Sequence, residues 1–258
     1  MASILYSAPP SSCVALVLLP GLGATPGSFP PSAFRVGRMP IVAVGYGDHV
    51  DTISDMAAHA WTELRRLHVR LPVILVGFSM GGFVAQLMYH QNPAGVYGIV
   101  FLSTTYLRPI DLLYPLTRSR EEITSKLDRL FGNEPVSASK GSAWVRASPY
   151  PDEVRASLGA ASMEKHLFAK ELGAILSYCL GNVGADILHS LRCPVLVIYG
   201  MDDTVIPVTF LSRLEHLVAN AASTTVLQFS GAGHSVFLDC PTDFTRALAR
   251  WVTSMGAC

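Results

Sequence analysis

The chain has 258 residues, with 19 basic and 19 acidic side chains and 50% hydrophobic residues, yet only 15% are charged where about 25% is usual. That length suits one large domain, or one domain carrying an insertion. Zero net charge without a basic run excludes the electrostatic footprint of nucleic-acid binding, and the apolar, aromatic-containing composition excludes disorder.

In chain order, apolar runs at 14–19 and 41–44 are followed by a helical pattern with Ile53, Met56, Ala57, Ala60, Trp61, Leu64 and Leu67 on one stripe. Thr52, with Asp55 three residues on, is the expected N-cap, and Pro72 lies beyond the end. A run at 73–76, a second helical pattern and a run at 99–102 follow. None of these runs approaches the roughly 20 apolar residues that cross a membrane, so they read as buried strands. Strands alternating with helices predict an α/β fold with a doubly wound, mostly parallel sheet.

After Ser103 the alternation stops, and residues 106–185 read as an inserted helical cap, leaving 1–105 and 186–258 as the core. One cap helix is expected to start at the capping-box pair Ser119 and Glu122 and to end at Gly132, with Ile123, Leu127, Leu130 and Phe131 on one side. Another places Phe168, Leu172, Ile175, Leu176, Cys179 and Leu180 at helical spacing before Gly181. Between them, residues 132–151 are rich in Ser, Pro and Gly and read as a mobile loop. Strands at 194–199 and 224–229 then resume the alternation. They are separated by a helix with Leu211, Leu214, Leu217 and Val218 and followed by a last helix opened by Pro241.

The run at 73–76 leads into Gly77-Phe78-Ser79-Met80-Gly81 and then a helical pattern. A sharp strand-to-helix turn of this kind exposes Ser79 above the sheet, and Gly77 and Gly81 avoid a Cβ collision. A serine hydroxyl needs a base, and the base needs a carboxylate to orient it. Both types follow at later strand ends: Asp202-Asp203 within Gly200-Met201-Asp202-Asp203-Thr204-Val205-Ile206-Pro207, and His234 within Gly231-Ala232-Gly233-His234. Gly21-Leu22-Gly23 after the first strand invites a dinucleotide-binding reading. Pro26 stands where that motif needs its third glycine, and Pro30-Pro31 follow where a helix should open.

With these motifs in place the sequence resembles the α/β-hydrolase fold superfamily, in its cap-bearing serine hydrolase and esterase branch, from about residue 14 to 252 apart from the cap. The resemblance implies Ser79 as nucleophile and His234 as base. The family pattern G-x-x-D-x-x-x-P selects Asp203 over Asp202 as the acid. The resemblance also implies an oxyanion hole from the backbone N–H groups of Leu22 and Met80, although Pro20 stands where the family commonly has His. Phe78, Tyr106, Val205, Val236 and Phe237 lie near these loops in sequence and are candidate pocket residues.

The implied activity is hydrolysis of a carboxylic ester, or of a related thioester, lactone or amide, through an acyl-enzyme. The alternatives are an α/β-hydrolase-fold ligand receptor and an acyltransferase with little hydrolytic turnover. The expected partner is a small, apolar acyl substrate. No cofactor is implied, and the other histidines show no metal-ligand spacing. Cys13, Cys179, Cys193, Cys240 and Cys258 are odd in number and lack a C-x-x-C pair, which predicts reduced thiols. With no positively charged N-terminal flank, a cytoplasmic location is expected. Residues 106–185 hold ten basic and nine acidic side chains, half of the chain's charges. The shortage of charge therefore belongs to the core, where a homodimer contact or a lipid-facing patch would account for any apolar outer surface.

Overall fold

The computed structural model describes residues 2–6, 14–106, 138–160, 165–181, 183–206 and 208–257. Among them the strands are β1 (Ala2–Tyr6), β2 (Leu16–Leu19), β3 (Ile41–Val44), β4 (Val73–Phe78), β5 (Val96–Leu102), β6 (Val195–Gly200) and β7 (Thr224–Phe229). They form one sheet in the order β1-β3-β2-β4-β5-β6-β7. β2 to β7 run parallel, and β1 is antiparallel to β3. The apolar runs predict no strand before residue 14, and β1 is an edge strand with β3 as its partner.

β2, β3, β4 and β6 are buried along their whole length, as strands covered on both faces must be. Alternate residues feed two separate apolar clusters. Val17, Leu19, Val42, Val44 and Leu75 pack on one face with α1 (Ile53–Arg66) and α2 (Gly81–Gln91). Leu16, Leu18, Ile41, Ala43, Ile74 and Val76 pack on the other with Phe29, Phe34 and the last helix, Pro241–Ser254. The expected cap of α1 forms: Thr52 Oγ1 accepts the Asp55 N–H at 3.0 Å, and Asp55 Oδ2 accepts the Thr52 N–H at 3.0 Å.

Between β5 and β6 lie α3 (Ala138–Ala147), α4 (Pro151–Ala160), α5 (Lys165–Gly181) and α6 (Gly184–Ser190). α5 carries the helical pattern expected from Phe168 onward, whereas the helix expected from Ser119 to Gly132 lies outside the described residues. The expected loop at 132–151 is corrected: 138–147 is helix, and Pro151 opens the next. Local propensity there is weak, but Trp144 is buried and its Nε1–H donates to Asp239 Oδ1 at 2.6 Å, a tertiary anchor that composition does not reveal. α6 straddles the expected 185/186 boundary, and its Ile187 and Leu188 join the core cluster beside α2. α7 (Val208–Leu217), the short α8 (Val236–Asp239) and α9 (Pro241–Ser254) complete the chain. No helix among the described residues is long and apolar enough to cross a membrane.

Candidate active site

The site forms at the C-terminal ends of the parallel strands, where loops from β2, β4, β6 and β7 converge. Ser79 follows β4 directly and adopts φ +52°, a left-handed conformation that costs a non-glycine residue roughly 1–3 kcal/mol and marks the turn as over-determined by its surroundings. Its N–H donates to Leu102 O at 2.9 Å, and its carbonyl accepts the Gly82 N–H at 2.9 Å. The turn also requires close backbone approach. A Cβ on Gly77 would lie 2.5 Å from Gly81 O, and one on Gly81 would lie 2.1 Å from Leu19 O. The two glycines of the motif therefore let α2 start against the end of β2. Met80 is the residue preceding the first turn of α2, where backbone N–H groups lack helical partners and the helix dipole favours negative charge.

Asp203 and His234, the expected acid and base, follow the ends of β6 and β7. Met201 N–H donates to Phe229 O, and Asp202 N–H to Ala232 O, both at 2.9 Å, so the two loops are tied together through their backbones. Asp202 is exposed, while the Asp203 side chain has no exposure. Asp203 Oδ1 accepts the N–H groups of Val205 and Ile206 at 2.8 and 2.9 Å, and Oδ2 lies 2.8 Å from His234 Nδ1. A carboxylate oxygen accepts, so Nδ1 carries the donated proton, and in the neutral ring Nε2 holds the free lone pair. The His234 side chain keeps 18% exposure, so its ring is not sealed from the site. On the other side of the His234 loop, Gly233 N–H donates to Asp239 Oδ2 at 2.9 Å, the same carboxylate that accepts from Trp144.

The loop after β2 closes the site. A Cβ placed on Gly21 would lie 3.0 Å from Ser79 Cβ and 3.2 Å from the Phe78 ring, which puts the backbone before Leu22 directly beside the serine. Phe78 in turn stands 5.0 Å from the His234 ring, centroid to centroid. Ser79, Phe78, His234 and the 20–23 loop thus form one contiguous group, with Asp203 behind the imidazole.

The candidate pocket residues divide between the two faces of the sheet. Phe78, Val236 and Phe237 belong to one apolar cluster, with Phe78 and Phe237 edge-to-face at 5.3 Å. Met80 and Tyr106 belong to the other, against which Leu22 packs. Val205 is half-buried, its N–H held by Asp203. A cleft of about 380 Å³ opens on the far side of Phe237, among Pro30, Arg35, Tyr150, Thr245 and Arg246. Ser79, Asp203 and His234 are not among its walls.

The model of the alpha/beta hydrolase family matches residues 16–248. The chain belongs to the alpha/beta hydrolase family. Over 240 residues, 92% of this hydrolase and 82% of the relative, it is 25% identical to the pimeloyl-[acyl-carrier protein] methyl ester esterase of Chromobacterium violaceum. MenH from S. aureus superposes with a TM-score of 0.72 at 17% identity, over 99% of this chain and 98% of that one. The esterase EaEST from Exiguobacterium antarcticum gives 0.62 at 19% identity, over 98% and 94%.

Two carboxylates at the site of this hydrolase were not singled out in the sequence. Glu171, on α5, is buried and accepts the Gly23 N–H through Oε2 at 2.9 Å; burial pushes its carboxyl up to about 7, and the Gly23 hydrogen bond offsets part of that rise. Asp239 braces the His234 loop. Their partners lie in other segments, and the sequence signal for each is only a charged residue within an apolar helical stripe.

Proposed function

We propose that this protein is a serine hydrolase that cleaves the carboxylic ester, or a related acyl bond, of a small apolar substrate. Ser79 is the nucleophile, His234 the general base and Asp203 the group that orients it. Nε2 takes the Ser79 proton as Oγ attacks the acyl carbon. The resulting oxyanion is met by the N–H groups of Leu22 and Met80, and the imidazolium returns its proton to the leaving alcohol. Water then repeats the sequence on the acyl-enzyme.

The observation that carries this reading is the His234–Asp203 pair. It is held at 2.8 Å by a carboxylate whose other oxygen is fixed by two backbone N–H groups, beside a serine in a left-handed turn. An ester in particular is favoured by the methyl ester esterase among the relatives. Steady-state turnover of a panel of p-nitrophenyl esters tests it. Sustained multiple turnover, lost in Ser79→Ala, is expected. A single stoichiometric burst followed by silence would point to a ligand receptor instead.

A further inference from the structure

The inserted helix α5 meets the loop after β2 through Glu171 and Phe168, and the β3–α1 connection through Lys170. Glu171 accepts the Gly23 N–H at 2.9 Å. Phe168, one turn earlier, covers the same glycine: Gly23 has φ +73°, and a Cβ on it would lie 2.9 Å from the Phe168 ring. Lys170 pairs with Asp51 at 2.9 Å and donates to the carbonyl of Asp48. On the core side, Tyr46 O–H donates to Pro20 O at 3.1 Å, fixing the start of the loop whose end Glu171 holds. Leu22 lies between those two anchors.

We propose that Glu171 is a positioning residue for the oxyanion hole: by accepting the Gly23 N–H it fixes the Leu22–Gly23 peptide, and through it the Leu22 N–H, so that turnover requires α5 to be seated on the core. This rests on the assignment of Ser79 and Leu22 made above. A neutral acceptor could also hold the loop, but a carboxylate makes a shorter, stronger bond to an N–H, and it weakens that bond on protonation. Among the described residues, two titratable groups stand beside it. Tyr46, from the β3–α1 connection, has its hydroxyl pushed well up by burial and then by the Glu171 charge, and so stays protonated as a donor. Lys170, adjacent on α5, is committed to Asp51. The ionisation of Glu171 near neutral pH therefore alters the charge at Gly23 without a compensating change in these neighbours.

The test compares Glu171→Gln, Glu171→Leu and Ser79→Ala in the full chain, using a short-chain p-nitrophenyl ester and the Gly23 amide proton shift followed by NMR against pH. The oxyanion is absent from the bound ester and develops toward the tetrahedral intermediate, so loosening one donor lowers kcat and leaves KM nearly unchanged. Glu171→Leu is expected to lower kcat roughly 10–100-fold, less than outright loss of a donor, with KM within about threefold. Glu171→Gln, which keeps an acceptor, is expected to restore kcat to within about threefold of the parent. The Gly23 amide shift is expected to titrate with a midpoint near 7 in the parent and to be flat in Glu171→Gln. A Glu171→Leu enzyme with unchanged kcat, a loss confined to KM, or a Gly23 amide that does not titrate overturns the proposal while Ser79→Ala remains inactive. Parent-like turnover by Ser79→Ala overturns the reading of the site, and this inference with it.

Discussion

Two buried carboxylates hold backbone at the candidate site, Asp203 on the sheet side and Glu171 on the inserted side, and they are solvated in different ways. Asp203 receives three donors, two of them N–H groups of Val205 and Ile206 in its own turn and the third His234 Nδ1. Glu171 comes from 148 residues away and, among the described residues, accepts one N–H, that of Gly23. A charge wrapped by its own loop is built into the fold, whereas a charge delivered by a distant helix to a single donor is left short of solvation, and burial raises its carboxyl to about 7. The sheet side thus holds its carboxylate with donors from its own turn, and the inserted side supplies a contact that depends on how α5 docks.

The sharpest break between the two adjacent aspartates comes first. Asp203→Asn, which keeps the shape but reverses the donor pattern toward Nδ1, is expected to lower kcat by about 10⁴-fold. The exposed Asp202→Asn should stay within about twofold, both read from steady-state ester hydrolysis. Gly81→Ala comes next: its Cβ would sit 2.1 Å from Leu19 O, so a loss of about 3 kcal/mol or more should appear as a fall in the urea midpoint.

Glu171→Gln tests the inserted side through stability. A carboxyl raised from 4.5 to about 7 binds its proton more tightly in the folded chain than in the unfolded one. Ionisation therefore costs stability as the pH rises through that interval, and the cost is absent below it. The variant should be more stable than the parent by roughly 2–3 kcal/mol at pH 8, an advantage that vanishes by pH 4. A variant less stable than the parent at pH 8 would make Glu171 a stabilising residue and erase the contrast with Asp203. The smallest effect is expected from Lys170→Ala. Its partner Asp51 is 74% exposed, and an ion pair so placed contributes less than about 1 kcal/mol.

What was legible in the sequence follows the reach of the interactions involved. The parallel strands showed as apolar runs because both faces are covered, and the turn at Ser79 showed because close backbone approach admits only glycine at positions 77 and 81. Asp202-Asp203 and His234 showed as residue types at strand ends, the family resemblance selected Asp203 of the two aspartates, and the structure pairs Asp203 with His234. Helix α3 did not show, since its anchor is Trp144 bonded to Asp239, 95 residues away, while Ser139, Gly141 and Ser142 offset the helical preference of its alanines. Glu171 stayed hidden for the same reason. Its hydrogen bond to Gly23 depends on how α5 lies on the β2 loop, and nothing in either local segment encodes that. The split of the candidate pocket residues between two clusters was likewise invisible, because proximity in sequence to a loop does not say which face of the sheet a side chain joins.

The most direct test of the account is to treat the protein with an active-site fluorophosphonate and locate the adduct by peptide mass spectrometry. A single adduct on Ser79, with none in Ser79→Ala, is the predicted result. An adduct on a different residue, or a protein that turns over esters while Ser79 stays unlabelled, would contradict it.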